Sequence, residues 1–150
     1  MMLMEHFSLE EMTRTDTGLE NDPSVWAGAN LVKLCELVME PIRALLSTGI
    51  VPSSGYRSPD VNKRVGGAMN SAHLDGRACD FHPMDMDPET AFHAIRVSEI
   101  PYDKLILERR SHTEVRWIHV QIAKSGHTAR RKAYRAEVGD NGPIYTEVMP

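Results

Sequence analysis

The chain has 150 residues, of which 41% are hydrophobic and 25% are charged, a composition that excludes a disordered or fibrous protein. Its 17 basic and 21 acidic residues give a net charge of -4, which argues against a nucleic-acid partner. We expect one domain over residues 1–150, with a C-terminal extension from about residue 124.

The two cysteines and the N-terminus indicate the compartment. Cys35 and Cys79 fit neither a disulfide framework nor a four-thiolate zinc site, so we expect reduced thiols in the core. Residues 1–6 lack the pattern of a signal peptide, and no apolar run approaches the roughly 18 residues of a membrane span. We expect a monomer that is made in the cytoplasm and has no integral membrane segment.

Residues 8–49 are predicted to be mainly helical. A capping-box pattern beginning at Ser8 predicts a short helix to residue 12 or 14. The main core helix is predicted from Pro23, in its first turn, to Gly49, and Pro41 predicts a kink or a late helix start. Its apolar stripe consists of Leu31, Leu34, Cys35, Val38, Ile42, Leu45 and Leu46.

A strand, a helix and a loop are predicted next. The strand begins at Ile50 and runs into residues 53–57, after which Ser58 and Pro59 start a helix that ends before Gly66. Residues 66–76 are predicted to form a structured loop.

The second half of the chain is predicted to be richer in strands. Residues 77–82 alternate as a strand, and Asp87 caps a helix whose inward residues are Ala91, Phe92, Ile95 and Val97. Residues 104–108 and 117–122 form a predicted hairpin, and 143–148 an edge strand, whereas 129–138 have no clear pattern. The predicted class is α+β.

Strand alternation singles out two polar side chains as candidate metal ligands. Within residues 117–122 the apolar side chains share one face, so His119 points to the opposite face. In the earlier strand, Cys79 and Phe81 share the apolar face, and Asp80 points away from them. A carboxylate in such an apolar strand requires a compensating charge, which a metal ion would supply.

His73 completes a candidate zinc site with Asp80 and His119. Gly76 allows a turn that returns the His73 imidazole toward Asp80. Two imidazoles and one carboxylate leave an open fourth position, which is typical of catalytic rather than structural zinc. His82 shares the face of Asp80 and is the alternative ligand, and an ordinary polar strand face is the alternative interpretation of this spacing.

Four ordered blocks of the sequence carry a family resemblance. They are Ser54-Gly55-Tyr56-Arg57-Ser58, Ser71-x-His73-x-x-Gly76-x-Ala78-x-Asp80, Leu105-Ile106-Leu107-Glu108 and Trp117-Ile118-His119-Val120. With the opening residues 7–11, they resemble the M15 zinc D-Ala-D-Ala peptidases, especially their compact phage and bacterial, endolysin-like branch. The resemblance implies a hedgehog/DD-peptidase fold with a small, mainly antiparallel sheet and flanking helices. It also implies zinc at His73, Asp80 and His119.

The resemblance leaves two candidates for the general base. Many larger family members carry the catalytic glutamate three residues before the last histidine, where this chain has Arg116. The compact branch resembles this chain in having a glutamate at the end of the preceding strand, which is Glu108. We favour Glu108 over Glu114, which lies in the connection between the two strands.

Further residues are assigned to the substrate. The planar fork of Arg57 suits a substrate carboxylate or an oxyanion. Ser71 offers a hydrogen bond, and Trp117 is either a substrate-facing wall or a core residue. The basic residues in 130–135 are interpreted as a solvated face or as a contact with an anionic envelope polymer.

The expected function is that of a zinc metallopeptidase acting on the peptide part of peptidoglycan. It would be a D-Ala-D-Ala carboxypeptidase or an endolysin-type endopeptidase that reaches the cell wall after release. The alternative is a catalytically silent zinc-binding module that recognises wall peptide. A metal-independent structural protein remains a third hypothesis.

Overall fold

A computed structural model describes residues 1–149 as helices packed on one six-stranded sheet. The helices are α1 (Leu9–Met12), α2 (Val25–Leu34), α3 (Glu40–Leu46), α4 (Pro59–Arg64) and α5 (Pro88–Arg96). A π-helical segment (Cys35–Met39) joins α2 to α3, and a 3-10 turn covers Ala72–Asp75. The strands are β1 (Ile50–Ser54), β2 (Ala78–Pro83), β3 (Lys104–Arg110), β4 (Arg116–Gln121), β5 (Lys132–Gly139) and β6 (Gly142–Glu147).

The sheet confirms the α+β class and its mainly antiparallel character. Its strand order is β1-β2-β4-β3-β5-β6, and every neighbouring pair is antiparallel except β3 with β5. This open sheet with few helices agrees with a small M15-like peptidase fold. Strand β6 lies at the sheet edge, as predicted from the sequence.

The hydrophobic core lies on one face of the sheet. Alternate residues of the central strands are fully buried there against α2, α3 and α5, which follows from the period-2 pattern. The strand residues are Cys79, Phe81, Leu105, Leu107, Ile118 and Val120, and the helix residues include Leu31, Ile42, Phe92 and Ile95. Cys35 and Cys79 are free thiols within this core, as expected. The polar side chains of the same strands therefore project from the other face.

The main helix differs in detail from its prediction. Helix α2 begins after Ser24, whose side chain accepts a hydrogen bond from the Ala27 backbone N–H at 3.1 Å, so Pro23 precedes the cap. Pro41 lies in the first turn of α3, directly after the π-helical segment, which accommodates its missing N–H. Leu45 is 44% exposed and does not belong to the inward stripe.

Three further predictions were wrong at element ends. Val97 is 71% exposed because it lies beyond the last turn of α5, where the chain leaves the core. Strand β1 ends at Ser54, so residues 55–57 form a loop rather than strand. Strand β3 continues past Glu108 to Arg110, because its ladders with β4 and β5 both extend that far.

The basic residues of 130–135 are engaged within the protein. Arg130 pairs with Asp103 at 2.8 Å, Arg135 pairs with Glu89 at 2.7 Å, and Lys132 pairs with Glu147 at 3.1 Å. Arg131 lies over the Tyr102 ring. These contacts tie β5 to its surroundings, while the side chains of Arg130, Lys132 and Arg135 remain exposed to solvent.

The described helices are short. Within residues 1–149, none combines the length and the apolar character needed to cross a membrane.

Candidate metal centre

Three predicted ligands converge on the polar face of the sheet. Asp80 of β2 and His119 of β4 are direct partners in the antiparallel register, and His73 approaches from the 3-10 turn. Asp80 Oδ1 lies 2.9 Å from His119 Nδ1 and 3.3 Å from His73 Nε2. One donor atom from each residue lies within 4.8 Å of the other two, so the group could hold a metal ion.

The backbone around His73 orients its imidazole. Nδ1 donates a hydrogen bond to the Gly55 carbonyl oxygen at 2.7 Å, which leaves the Nε2 lone pair toward Asp80. The Ser71 hydroxyl caps the 3-10 turn by accepting from the His73 backbone N–H. The turn ends at Gly76, whose φ of +75° is the left-handed conformation that glycine adopts readily.

The protonation of the group follows from its burial and its contacts. Burial lowers the pKa of His73, which favours the neutral imidazole. Burial acts to raise the pKa of Asp80, but His73 and His119 together hold it well below its usual value. For His119, burial is outweighed by the hydrogen bond with Asp80, so its pKa is raised.

The donor atoms of these three residues are arranged as a metal ion requires. The neutral His73 directs a lone pair at a carboxylate oxygen only 3.3 Å away, and two acceptors facing each other require a proton or a cation between them. Two imidazole nitrogens and a carboxylate oxygen are the donor set of zinc sites with an open position. The donor set therefore fits zinc.

The group lies in the floor of a cavity of about 980 Å³. The cavity wall includes the four side chains that the sequence assigned to substrate and catalysis, Arg57, Ser71, Glu108 and Trp117. Strand alternation places Glu108 and Trp117 on the same face as His119, and these two residues are register partners in β3 and β4. Residues from five separate elements thus meet at one place.

Glu108 and Glu114 occupy different surroundings. Glu108 is half-buried in the large cavity, where burial and the Asp80 charge raise its pKa to about 7. Glu114 is exposed in the turn after β3 and lines a second, smaller cavity of about 290 Å³. The structure therefore brings only Glu108 into the cavity that holds the three candidate ligands.

Arg57 is held by contacts at three of its nitrogens. Nε donates to Ser54 Oγ at 3.0 Å, Nη1 to Asn62 Oδ1 at 3.2 Å, and Nη2 to Asp80 Oδ2 at 3.4 Å. The guanidinium therefore borders the candidate metal centre. His82, the alternative ligand, is exposed at the cavity wall and is not part of the group of three.

Sequence reasoning missed part of this cavity. Tyr134 and Tyr145, whose rings lie 6.1 Å apart, line it from β5 and β6, together with Val138 and Pro143. Tyr134, among the apolar and charged residues of 132–138, was a visible signal for a strand. Nothing local showed which strand β5 would join.

The family model described as Peptidase M15 matches residues 5–121. The chain belongs to the peptidase M15 family. M15 peptidases are zinc hydrolases that act on peptides, and this chain supplies a buried donor group that could hold the zinc. A comparison with curated proteins gave no match. The family match ends before β5. Residues beyond it, among them Tyr134 and Tyr145, therefore line part of the cavity of this M15 peptidase.

Proposed function

We propose that this M15 peptidase hydrolyses peptide bonds of peptidoglycan, either as a D-Ala-D-Ala carboxypeptidase or as an endopeptidase. The observation that carries the proposal is the His73, Asp80 and His119 group in one cavity floor, with Glu108 on the neighbouring strand. These three residues would hold zinc. Such an enzyme would act on the cell wall once it is released.

The chain's own groups suit peptide hydrolysis. Zinc, when bound, supplies a Lewis acid that polarises the scissile carbonyl and lowers the pKa of water. Glu108 accepts the proton of the attacking water and passes it to the leaving amine. Burial in the cavity wall raises its pKa in the metal-free protein, so the carboxyl group is already shielded from bulk solvent beside the three ligands.

Arg57, Ser71 and Trp117 are proposed to bind the substrate. Arg57 presents a planar cation beside Asp80, where it can hold a substrate carboxylate or stabilise the developing oxyanion. The Ser71 hydroxyl already accepts one backbone hydrogen bond and keeps its own proton available as a donor. Trp117 offers a flat apolar wall on the same face as His119.

The charge of the cavity wall supports an acidic peptide as substrate. Four cationic side chains, Arg57, Lys104, Arg110 and Arg116, line the cavity, against the two carboxylates Asp80 and Glu108. Stem peptides of peptidoglycan carry free carboxylates, so a cationic wall favours their approach.

Mass spectrometry of purified muropeptides tests this proposal. The zinc-loaded protein should either remove a terminal D-alanine from pentapeptide stems or convert cross-linked dimers into monomers, and the product masses distinguish the two. The Glu108→Gln protein serves as the matched control. Unchanged muropeptides after incubation with zinc-loaded wild-type protein would contradict peptidoglycan as the substrate.

A silent zinc-binding module is the second candidate. Arg116 stands where larger family members place their catalytic glutamate, and this departure favours it. Such a module would bind muropeptides without cleaving them, and exchanging Glu108 or Glu114 for glutamine would leave that binding unchanged. Cleavage by the wild-type protein excludes this candidate.

A further inference from the structure

A chain of polar contacts leads from His119 away from the cavity. His119 Nε2 lies 2.9 Å from Gln121 Oε1, and Gln121 Nε2 donates to Asp103 Oδ2 at 3.4 Å. Arg130 then donates to both oxygens of Asp103, with Nε at 3.1 Å and Nη2 at 2.8 Å. Four side chains thus form one continuous series from the candidate metal centre to the start of β5.

The donors and acceptors in this series have only one consistent arrangement. An ionised Asp103 only accepts hydrogen bonds, so the amide nitrogen of Gln121 must face it. The amide oxygen then faces His119, and because that oxygen also only accepts, His119 Nε2 must carry a proton. Nδ1 is therefore the nitrogen of His119 that faces Asp80, and it is the one that would bind a metal ion.

Asp103 is well fixed at the base of this series. It is 4% exposed, and its backbone N–H donates to the Gln121 carbonyl oxygen at 2.8 Å. The Arg130 backbone N–H donates to Asp103 Oδ1 at 3.0 Å, and the Lys132 N–H donates to the Asp103 carbonyl oxygen at 3.1 Å. The carboxylate cannot turn away without breaking several of these contacts.

We propose that Gln121 and Asp103 are positioning residues that hold His119 in the tautomer and ring orientation needed for zinc, with Arg130 as their anchor. The proposal rests on the zinc site but not on the substrate or the base. Arg130 lies outside the residues matched by the family model. The C-terminal segment thus contributes to the metal centre as well as to the cavity wall.

Zinc affinity, measured by competition with a chromogenic chelator, is the first test. Gln121→Met keeps the side-chain length but removes the acceptor, and we expect the dissociation constant to rise by about 10- to 100-fold. Asp103→Asn allows the Gln121 amide to face either way, so a smaller loss in the same direction is expected. Arg135→Met, which breaks the ion pair between Arg135 of β5 and Glu89 of α5, is the matched control and should keep wild-type affinity.

A second measurement distinguishes a positioning role of Gln121 from a purely structural one. In the zinc-loaded protein, nitrogen NMR of the histidine rings should show a slowly exchanging proton on His119 Nε2, and Gln121→Met should make that proton exchange faster. Wild-type zinc affinity in Gln121→Met would overturn the proposal. An affinity loss that matches a lower melting temperature of the metal-free variant would also overturn it, because Gln121 would then only stabilise the fold. Failure of the wild-type protein to bind zinc would instead overturn the proposed function.

Discussion

His73 and His119 are oriented by different kinds of partner. The ring of His73 is oriented by a backbone carbonyl, that of Gly55, which no side-chain substitution removes. The ring of His119 is oriented by the Gln121 side chain, so its orientation depends on residue identity. At the scale of single residues, the two imidazoles therefore differ in their sensitivity to substitutions around the metal centre.

Removing either imidazole should remove most of the metal. We expect His73→Ala and His119→Ala to lose bound zinc, because two protein ligands hold the ion far more weakly than three. Elemental analysis of the purified variants measures this. His82→Ala is the matched control, since His82 is exposed in the same cavity but outside the group of three, and it should keep its zinc. Full zinc content in both ligand variants would refute the site.

The general base gives a second prediction at this scale. Glu108→Gln removes the proton acceptor but keeps the shape of the side chain, so turnover should fall by roughly 10² to 10⁴ fold while the zinc content stays the same. Glu114→Gln should change turnover little, because Glu114 lies in the smaller cavity. Rates and zinc content are measured on the same preparations. The opposite order of rates would identify Glu114 as the base.

At the scale of elements, the 3-10 turn that carries His73 packs tightly against α2. A Cβ added at Gly76 would lie 2.4 Å from the Ala27 carbonyl oxygen and 3.3 Å from Leu31 Cγ. The Asn30 side chain also donates to the Asp75 carbonyl oxygen at 2.8 Å. The position of His73 is thus coupled to a core helix that has no other part in the site.

Gly76→Ala should therefore damage both stability and metal binding. Gly126 has a similar φ of +81° and nothing within 4 Å of an added Cβ, so Gly126→Ala is the matched control. Both changes force a left-handed alanine, at a cost of about 1–2 kcal/mol. Only Gly76→Ala adds a clash with backbone, which should destabilise the protein by about 1–3 kcal/mol more. Urea unfolding and zinc titration measure the two effects, and equal results for both variants would contradict this packing argument.

Strand β3 shows why the element containing Glu108 was predicted too short. The sequence Glu108-Arg109-Arg110 is polar and suggested that the strand ends at Glu108. In the structure Arg109 pairs with Glu137 of β5 at 2.7 Å, and the Arg110 guanidinium lies over the Trp117 ring. Cross-strand partners thus compensate for polar residues that by themselves indicate a loop.

At the scale of the whole molecule, one face of the sheet builds the hydrophobic core and the other face carries the candidate site. The face that packs on α2, α3 and α5 contains the apolar side chains, and the opposite face carries the candidate ligands and the cavity. The core therefore requires no metal to be complete. Most of the apolar burial that stabilises the fold is independent of the site.

Chelation should consequently abolish cleavage but not folding. We expect a strong zinc chelator to stop muropeptide hydrolysis, while far-ultraviolet circular dichroism keeps most of its helical signal. Added zinc should then restore the activity. Loss of the helical signal at the chelator concentration that stops hydrolysis would contradict the separation of the two faces.

Local patterns in the sequence were sufficient for most of the elements, although not for β5, and for the outward direction of two candidate ligands. Alternation in two strands showed that Asp80 and His119 leave the apolar face, and Gly76 indicated the turn that returns His73. These features depend on residues two to four positions apart, so they can be read along the chain. The mainly antiparallel α+β class followed from the same patterns.

Tertiary structure alone decided which of those faces meet. The pairing of β2 with β4, and the parallel addition of β5 to β3, join segments that are distant in the sequence. Hydrogen bonds between backbones are nearly independent of residue type, so no local pattern shows them. The addition of β5 to β3, followed by β6, places Tyr145 in the cavity wall and Arg130 beside Asp103. Their contribution to the site therefore becomes visible only when the whole sheet has formed.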